Sequence, residues 1–151
     1  MKPPVNLPAA PGTYLLIMRL DVPRRVMAGR LGAFELNAGL YAYVGSARGP
    51  GGLHGRVGRH LRESSKRAHW HIDALAAVAP IVEVWIVESR AHLECAWAGG
   101  VAGAPGVEKP ISGFGASDCG CRTHLFALPS AGLDAVWEAL GRPVRLRITV
   151  E

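Results

Sequence analysis

Two apolar, extended runs, each marked by a glycine and a tyrosine, constrain this chain more than any other feature. Gly12-Thr13-Tyr14 opens the first, which continues as Leu15-Leu16-Ile17-Met18 and ends at Asp21-Val22-Pro23. The second leads from Asn37-Ala38-Gly39 into residues 40–46 and carries Tyr43-Val44-Gly45. Apolar, partly β-branched content between turn-forming flanks reads as strand in both. Period two places Tyr41 and Tyr43 on one face of the second strand and Leu40, Ala42 and Val44 on the other. Between them, residues 24–29 and 33–36 read as a short pair turning at Arg30-Leu31-Gly32.

The pattern then switches from strand to helix. Arg48-Gly49-Pro50-Gly51-Gly52 is a flexible turn, and a helix is predicted to follow through Arg62. Leu53, Val57 and Leu61 form its apolar stripe. Arg56 and His60, four residues apart, lie on one edge of that stripe and can look toward the sheet, while Arg59 and Arg62 turn toward solvent. Further on, His69-Trp70-His71-Ile72-Asp73 opens a helix ended by Pro80, and residues 81–87 read as a buried strand. Residues 91–98 are predicted as a helix that carries Glu94 and frays into Gly99-Gly100. A glycine-rich loop leads to strand 122–128 and helix 132–140. Val144, Leu146, Ile148 and Val150 alternate with Arg145, Arg147 and Thr149 as a half-exposed terminal strand. The mixture predicts an α+β fold, with a Pro-rich arm over residues 1–11 and a single domain over 12–151.

At 151 residues and 49% hydrophobic content, the chain is long enough to bury a core and too apolar for wholesale disorder. Lys and Arg total 17 against 12 Asp and Glu, a net charge of +5, which favours a polyanionic partner. Only Lys2, Lys66 and Lys109 are lysines, and arginine suits bidentate phosphate contact. The start has no apolar signal core, and the longest apolar stretch, 74–87, is too short to cross a bilayer. Three cysteines do not make a secreted disulfide framework. A cytoplasmic protein without membrane association is expected.

One constellation, Tyr14, Tyr43, Arg56, His60 and Glu94, can serve phosphodiester hydrolysis. That reaction needs a deprotonated water, neutralised charge on the phosphoryl group and a stabilised leaving oxygen. A tyrosine with its pKa lowered by a cation, or a water relayed through a tyrosine, can act as base. Arg56 can pair with the phosphate, His60 can relay a proton, and one carboxylate such as Glu94 can hold a largely hydrated Mg²⁺. Taken singly, each has a plainer reading: strand tyrosines pack cores and helical glutamates face solvent.

These residues, with their surroundings, resemble the GIY-YIG nuclease superfamily, and in particular its small stand-alone branch, DUF123 or the Uri-superfamily endonucleases. The resemblance is carried by Gly12-Thr13-Tyr14, residues 39–47 around Tyr43-Val44-Gly45, residues 51–61, His69-Trp70-His71-Ile72-Asp73, Glu94-Cys95, and the run from Phe114 through Ser117-Asp118-Cys119-Gly120-Cys121 to His124-Leu125-Phe126. It spans about residues 12–128. It implies a small, mainly antiparallel central sheet flanked by helices and a metal-dependent endonuclease. Tyr14 would be the general base or its relay, and Tyr43 would position water or phosphate. Arg56 would contact phosphate, His60 would assist proton transfer, and Glu94 would hold one Mg²⁺ or Mn²⁺. Twenty-nine positions separate Tyr14 from Tyr43, more than is usual in the superfamily, so a hairpin must be inserted between them. The helix and strand after residue 128 form a C-terminal extension. Thr13 stands where the family usually has isoleucine.

Three other groups are candidates. Cys119, Cys121 and His124, with Cys95 and His69 or His71 as additions, suit Zn²⁺ by ligand type. The C-x-C-x₂-H spacing is uncommon for zinc, and a redox pair or a structural or substrate-contacting loop containing Ser117 and Asp118 is an alternative. In the second group Trp70 anchors a helix start or stacks a base, and His69 and His71 contact phosphate or, for His71 with Asp73, form an auxiliary pair. The third is the basic stretch Arg48, Arg56, Arg59, Arg62, Lys66 and Arg67, a phosphate-binding surface around the site. The expected function is thus a divalent-metal-dependent endonuclease acting on DNA, single-stranded or branched, and less readily on RNA. A non-catalytic nucleic-acid-binding module and a zinc or thiol accessory protein using Cys119, Cys121 and His124 are the alternatives. No oligomeric state is legible.

Overall fold

The computed structural model describes residues 6–27, 29–62, 71–115 and 121–148, with the His71 side chain excepted. The chain runs β1 (Gly12–Leu20), β2 (Arg24–Met27), β3 (Ala33–Leu36), β4 (Gly39–Ala47), α1 (Gly52–Leu61), α2 (His71–Ala76), β5 (Ile81–Glu88), α3 (Glu94–Ala102), β6 (Leu125–Leu128), α4 (Leu133–Ala139) and β7 (Val144–Arg147). Five strands form one sheet in the order β6-β4-β1-β5-β7, every neighbouring pair antiparallel. β2 and β3 form a separate hairpin, the insertion between the two tyrosines.

β1 is buried along nearly its whole length because both of its faces are covered. On one face Tyr14, Leu16 and Met18 join Tyr41 and Tyr43 of β4, with Leu53 and Val57 from α1 and Ile72 and Leu75 from α2. On the other, Leu15, Ile17, Ala42, Val44 and Trp85 pack against Trp97 and Val101 of α3 and Val136 of α4. The expected split of Tyr41 and Tyr43 from Ala42 and Val44 is therefore the split between two cores. The hairpin leaves the β1–β4 pairing unbroken, with Gly12 opposite Ala47 and Leu20 opposite Gly39.

Residues of the Pro-rich arm lie against the start of α1. The carbonyls of Ala10 and Pro8 accept hydrogen bonds from the amides of Leu53 and His54 at 2.9 and 2.8 Å, satisfying donors that a helix leaves open at its first turn. Leu7 is buried beside them.

Several elements differ from the sequence expectation; the strand placed over 122–128, for one, begins only at Leu125. The helix placed over 91–98 begins at Glu94 and continues through Gly99-Gly100 to Ala102. Burial of Trp97, Ala98 and Val101 outweighs the poor helix propensity of the glycines. In β7 the expected alternation is incomplete: Leu146 packs against the core, but Val144 is 57% exposed. Arg145 lies instead under cover, opposite Trp85 in the register. Its guanidinium sits 5.3 Å from the Trp85 ring centroid and bonds Glu83.

Candidate functional site

β1 begins and β4 ends at the same edge of the sheet, and a cleft of about 260 Å³ opens there. Tyr14, Tyr43, Gly45, Ser46, Arg48, Gly49, Arg56, His92 and Glu94 line it. The strands supply the tyrosines, the turn into α1 supplies Arg48, α1 supplies Arg56, the loop before α3 supplies His92, and the first residue of α3 is Glu94. Tyr14, Tyr43, Arg56 and Glu94 thus meet in one place although they span eighty residues of sequence.

Register explains how the tyrosines converge. Tyr14 pairs with Gly45 and Leu16 with Tyr43, so Tyr14 and Tyr43 are diagonal neighbours on one face. Gly45 is needed for this arrangement: a Cβ built on it would collide with Cζ, Cε2 and the hydroxyl oxygen of Tyr14. Gly115, at φ +67°, approaches the second tyrosine in the same way, and a Cβ there would lie 2.8 Å from Cε1 of Tyr43.

His60 joins the pair from the buried side of α1. Its Nε2 is 2.9 Å from the Tyr14 hydroxyl, and the Tyr43 ring stands edge-on to it at 6.4 Å between centroids. Burial pushes the Tyr14 phenol well above its ordinary pKa, and the nearby Tyr43 and Glu94 add to this against the opposing pull of Arg56. Burial, then the charge of Glu94, raises Tyr43 too, again against Arg56. With Arg56 as the nearby cation, burial still dominates and holds both phenols neutral in the metal-free site.

Other residues of the expected basic surface divide. Arg48 is exposed at the cleft, with Nη1 3.2 Å from Nδ1 of His92. Arg62 is exposed at the end of α1. Arg59 does not turn to solvent: its Nη1 and Nη2 donate to Oδ1 and Oδ2 of Asp73 at 3.0 and 3.1 Å, a bidentate clamp between α1 and α2. The 3% exposed Asp73 carboxylate attracts the guanidinium inward, so Asp73 pairs with Arg59. Lys66, Arg67, His69, Trp70, Ser117, Asp118 and Cys119 lie outside the described residues, as does the His71 side chain. His92 was not singled out by sequence reasoning; its place two residues before Glu94 was the available signal.

Among the described residues, one carboxylate and one cluster of side chains carry metal-ligating atoms at or beside the cleft. In the cleft, Glu94 offers a hard oxygen ligand beside two arginines. Behind it, Cys95, Cys121 and His124 bring one ligand atom each to within 4.8 Å of one another. Glu94 borders both, since its Oε2 is 3.7 Å from Nδ1 of the buried His124. Burial lowers the His124 pKa, favouring the neutral imidazole.

A family model described as "Domain of unknown function DUF123" matches residues 13–142. The chain belongs to the DUF123 family. The DUF123 match takes in every residue lining the cleft and the Cys95, Cys121 and His124 group, and it stops just before β7. It also reaches beyond residue 128 to include α4. Neither a curated protein nor a solved structure gives a significant match. Among the described residues of this DUF123 protein, no helix is long and apolar enough to cross a membrane.

Proposed function

We propose that this DUF123 protein is a divalent-metal-dependent endonuclease that hydrolyses phosphodiester bonds in DNA, and that it belongs with the GIY-YIG nucleases. The observation that carries the reading is the convergence of Tyr14, Tyr43, Arg56 and Glu94 on one cleft, with His60 bonded to Tyr14. Arg48 and Arg56 outnumber Glu94 in the lining, a balance suited to a phosphate that brings its own negative charge.

Glu94 is the residue that would hold the ion. When bound there, hydrated Mg²⁺ or Mn²⁺ supplies charge neutralisation and an acidified water. Arg56 and Arg48 bind the phosphate oxygens. Because the Tyr14 phenol is held neutral, it works as a relay and not as a standing phenolate. With His60 in the tautomer that leaves Nε2 unprotonated, Tyr14 donates to it across 2.9 Å. A proton released by the attacking water passes to the Tyr14 oxygen as the Tyr14 proton moves to His60 Nε2. Tyr43, also neutral, orients the water or a phosphate oxygen through its hydroxyl. The site of action proposed is cytoplasmic, on DNA in preference to RNA.

The test is a cleavage assay with Mg²⁺ or Mn²⁺ on single-stranded, duplex and branched DNA and on RNA. Wild type is expected to cut a DNA substrate, with Tyr14→Phe slower by about 100-fold or more, the usual worth of a positioned proton-transfer group. Glu94→Ala should abolish metal-dependent turnover. Absence of cutting on every substrate, or wild-type rates in both variants, overturns the proposal, and binding without cutting moves the protein to the nucleic-acid-binding class.

A further inference from the structure

Outside the cleft, one group of reactive side chains has no part in phosphodiester chemistry. Cys95 is the second residue of α3, and Cys121 and His124 precede β6. Their ligand atoms lie within 4.8 Å of one another, and the two sulfurs are 2.9 Å apart. We propose that Cys95, Cys121 and His124 form a zinc site that pins the start of α3 to the segment entering β6.

Donor chemistry favours zinc. Two thiolates and an imidazole are a soft set that suits Zn²⁺ and disfavours the hard cation assigned to the cleft. Tetrahedral zinc, at about 2.3 Å from each sulfur, holds a sulfur pair roughly 3.8 Å apart. The observed pair must open by about an ångström, within reach of one χ1 adjustment of Cys95, which is exposed and has room to turn. The three residues supply three ligands and leave the fourth position of the tetrahedron to a further donor.

The frame around the site is built for a fixed ligand. His124 is 1% exposed and held by its backbone on two sides: its amide donates to the Phe114 carbonyl at 2.8 Å, and its carbonyl accepts from the Val44 amide at 3.0 Å. Beside its ring stands the Glu94 carboxylate, 3.7 Å from Nδ1. At 3.7 Å the pair is within ion-pair range and outside hydrogen-bond range; closing by about an ångström would let Glu94 accept from Nδ1 and orient the imidazole with Nε2 toward the metal. A simple cysteine pair destined for a disulfide has no use for that third residue.

One consequence reaches the cleft. Glu94 immediately precedes Cys95, so a metal holding Cys95 and His124 also holds the Glu94 carboxylate at the cleft edge. This last step rests on the nuclease reading; the zinc site itself does not.

The experiment measures metal on the full chain with no substrate present, so its failure is distinct from a failure to cleave. Protein purified without chelator is expected to carry about one zinc per chain, as a three-ligand site from a single chain requires. Chelator-stripped wild type titrated with Co²⁺ should develop sulfur-to-cobalt charge-transfer absorption. Cys95→Ser, Cys121→Ser and His124→Gln should each lose zinc while circular dichroism reports whether they fold. Glu94→Gln should retain the ligands and bind about 10–100-fold more weakly, as loss of an orienting carboxylate does. Three results overturn the proposal: wild type that binds neither zinc nor cobalt through thiolate, single-cysteine variants that keep full zinc, or a metal-free protein whose Cys95 and Cys121 are joined as a disulfide. The cobalt titration uses wild type and decides the matter even if every variant unfolds.

Discussion

Gly45 lies directly across the β1–β4 pair from Tyr14, and the Tyr14 phenol fills the space that a side chain at position 45 would take. The glycine of the second Gly/Tyr segment is thus the seat of the tyrosine of the first. Gly45→Ala is expected to push the ring off His60 and cost about 1–3 kcal/mol, as overpacking of a tight core does. Urea unfolding measures the stability loss. Cleavage should fall further than stability, because the displaced ring loses its 2.9 Å bond to His60 Nε2. A Gly45→Ala protein with wild-type stability and wild-type cleavage would show that the seat is unnecessary.

The tyrosines also set the alkaline limit of the fold. The chain has three, Tyr14, Tyr41 and Tyr43, and burial raises each above the ordinary 10.0. A raised pKa means that the folded state keeps protons the unfolded chain gives up. Stability is therefore full below pH 10.0 and falls as pH climbs past it, by up to about 1.4 kcal/mol per pH unit for each tyrosine still protonated when folded. Phenolate absorbance should stay low past pH 10.0 and then rise together with loss of circular dichroism. Phenolate forming near pH 10.0 in a still-folded protein would contradict the buried, neutral pair. The same neutrality predicts that cleavage gains nothing from Tyr14 ionisation at neutral pH.

How far the sequence foretold this site depends on whether a residue's place follows from local periodicity. The alternation in β4 put Tyr41 and Tyr43 on one face, and the 3.6-residue period of α1 put Arg56 and His60 toward the sheet. Those are properties of single elements, and the structure keeps them. Periodicity gives a direction but no neighbour, so Arg59 was directed to solvent when Asp73, fourteen residues on and in another helix, was there to receive it. Cys95 and Cys121 are twenty-six residues apart, one on α3 and the other ahead of β6, and only tertiary packing brings them together. Arg145 was read as outward for a similar reason: alternation on an edge strand does not reveal that Trp85 and Trp137 wait on its face.

Arg59 and Asp73 provide a test that separates holding the fold from holding a substrate. Their bidentate pair is nearly buried on the Asp73 side, where the carboxylate is 3% exposed. Removing one partner strands the other charge, so Arg59→Gln and Asp73→Asn should each destabilise the protein by about 2–4 kcal/mol. The double variant should lose much less than the sum, a coupling read from a double-mutant cycle in urea. Arg48→Gln, at an exposed cleft position, should leave the urea midpoint within error while weakening DNA binding and lowering its salt dependence. Equal effects of Arg48→Gln and Arg59→Gln on DNA binding, without a stability loss for Arg59→Gln, would return Arg59 to the nucleic-acid surface.

The opposite edge of the sheet predicts an acid limit. Arg145 reaches from β7 to Glu83 of β5 at 2.6 Å and to Asp134 of α4 at 2.9 Å, and Trp85 Nε1 donates to the same Glu83 oxygen at 2.9 Å. Burial alone would raise the Glu83 pKa, but the hydrogen bonds from Arg145 and Trp85 outweigh it and hold the carboxyl below its usual 4.5. A depressed carboxylate pKa gives stability that is present above 4.5 and lost as pH falls through the lower folded value. The Glu83 contribution should therefore be lost only below pH 4.5, after an earlier loss that starts near pH 6.5, where the unfolded chain protonates His124 and the buried, neutral His124 of the fold does not. Arg145→Leu leaves the Glu83 charge under partial cover without its cation and should cost about 2–4 kcal/mol at neutral pH. In that variant burial acts unopposed by the guanidinium, so the Glu83 pKa rises, and stability lost at neutral pH is partly regained on mild acidification. Urea midpoints of the two proteins should accordingly converge as pH falls, and parallel curves would show that Arg145 acts on β7 through packing over Trp85 and Trp137 and not through the charge of Glu83.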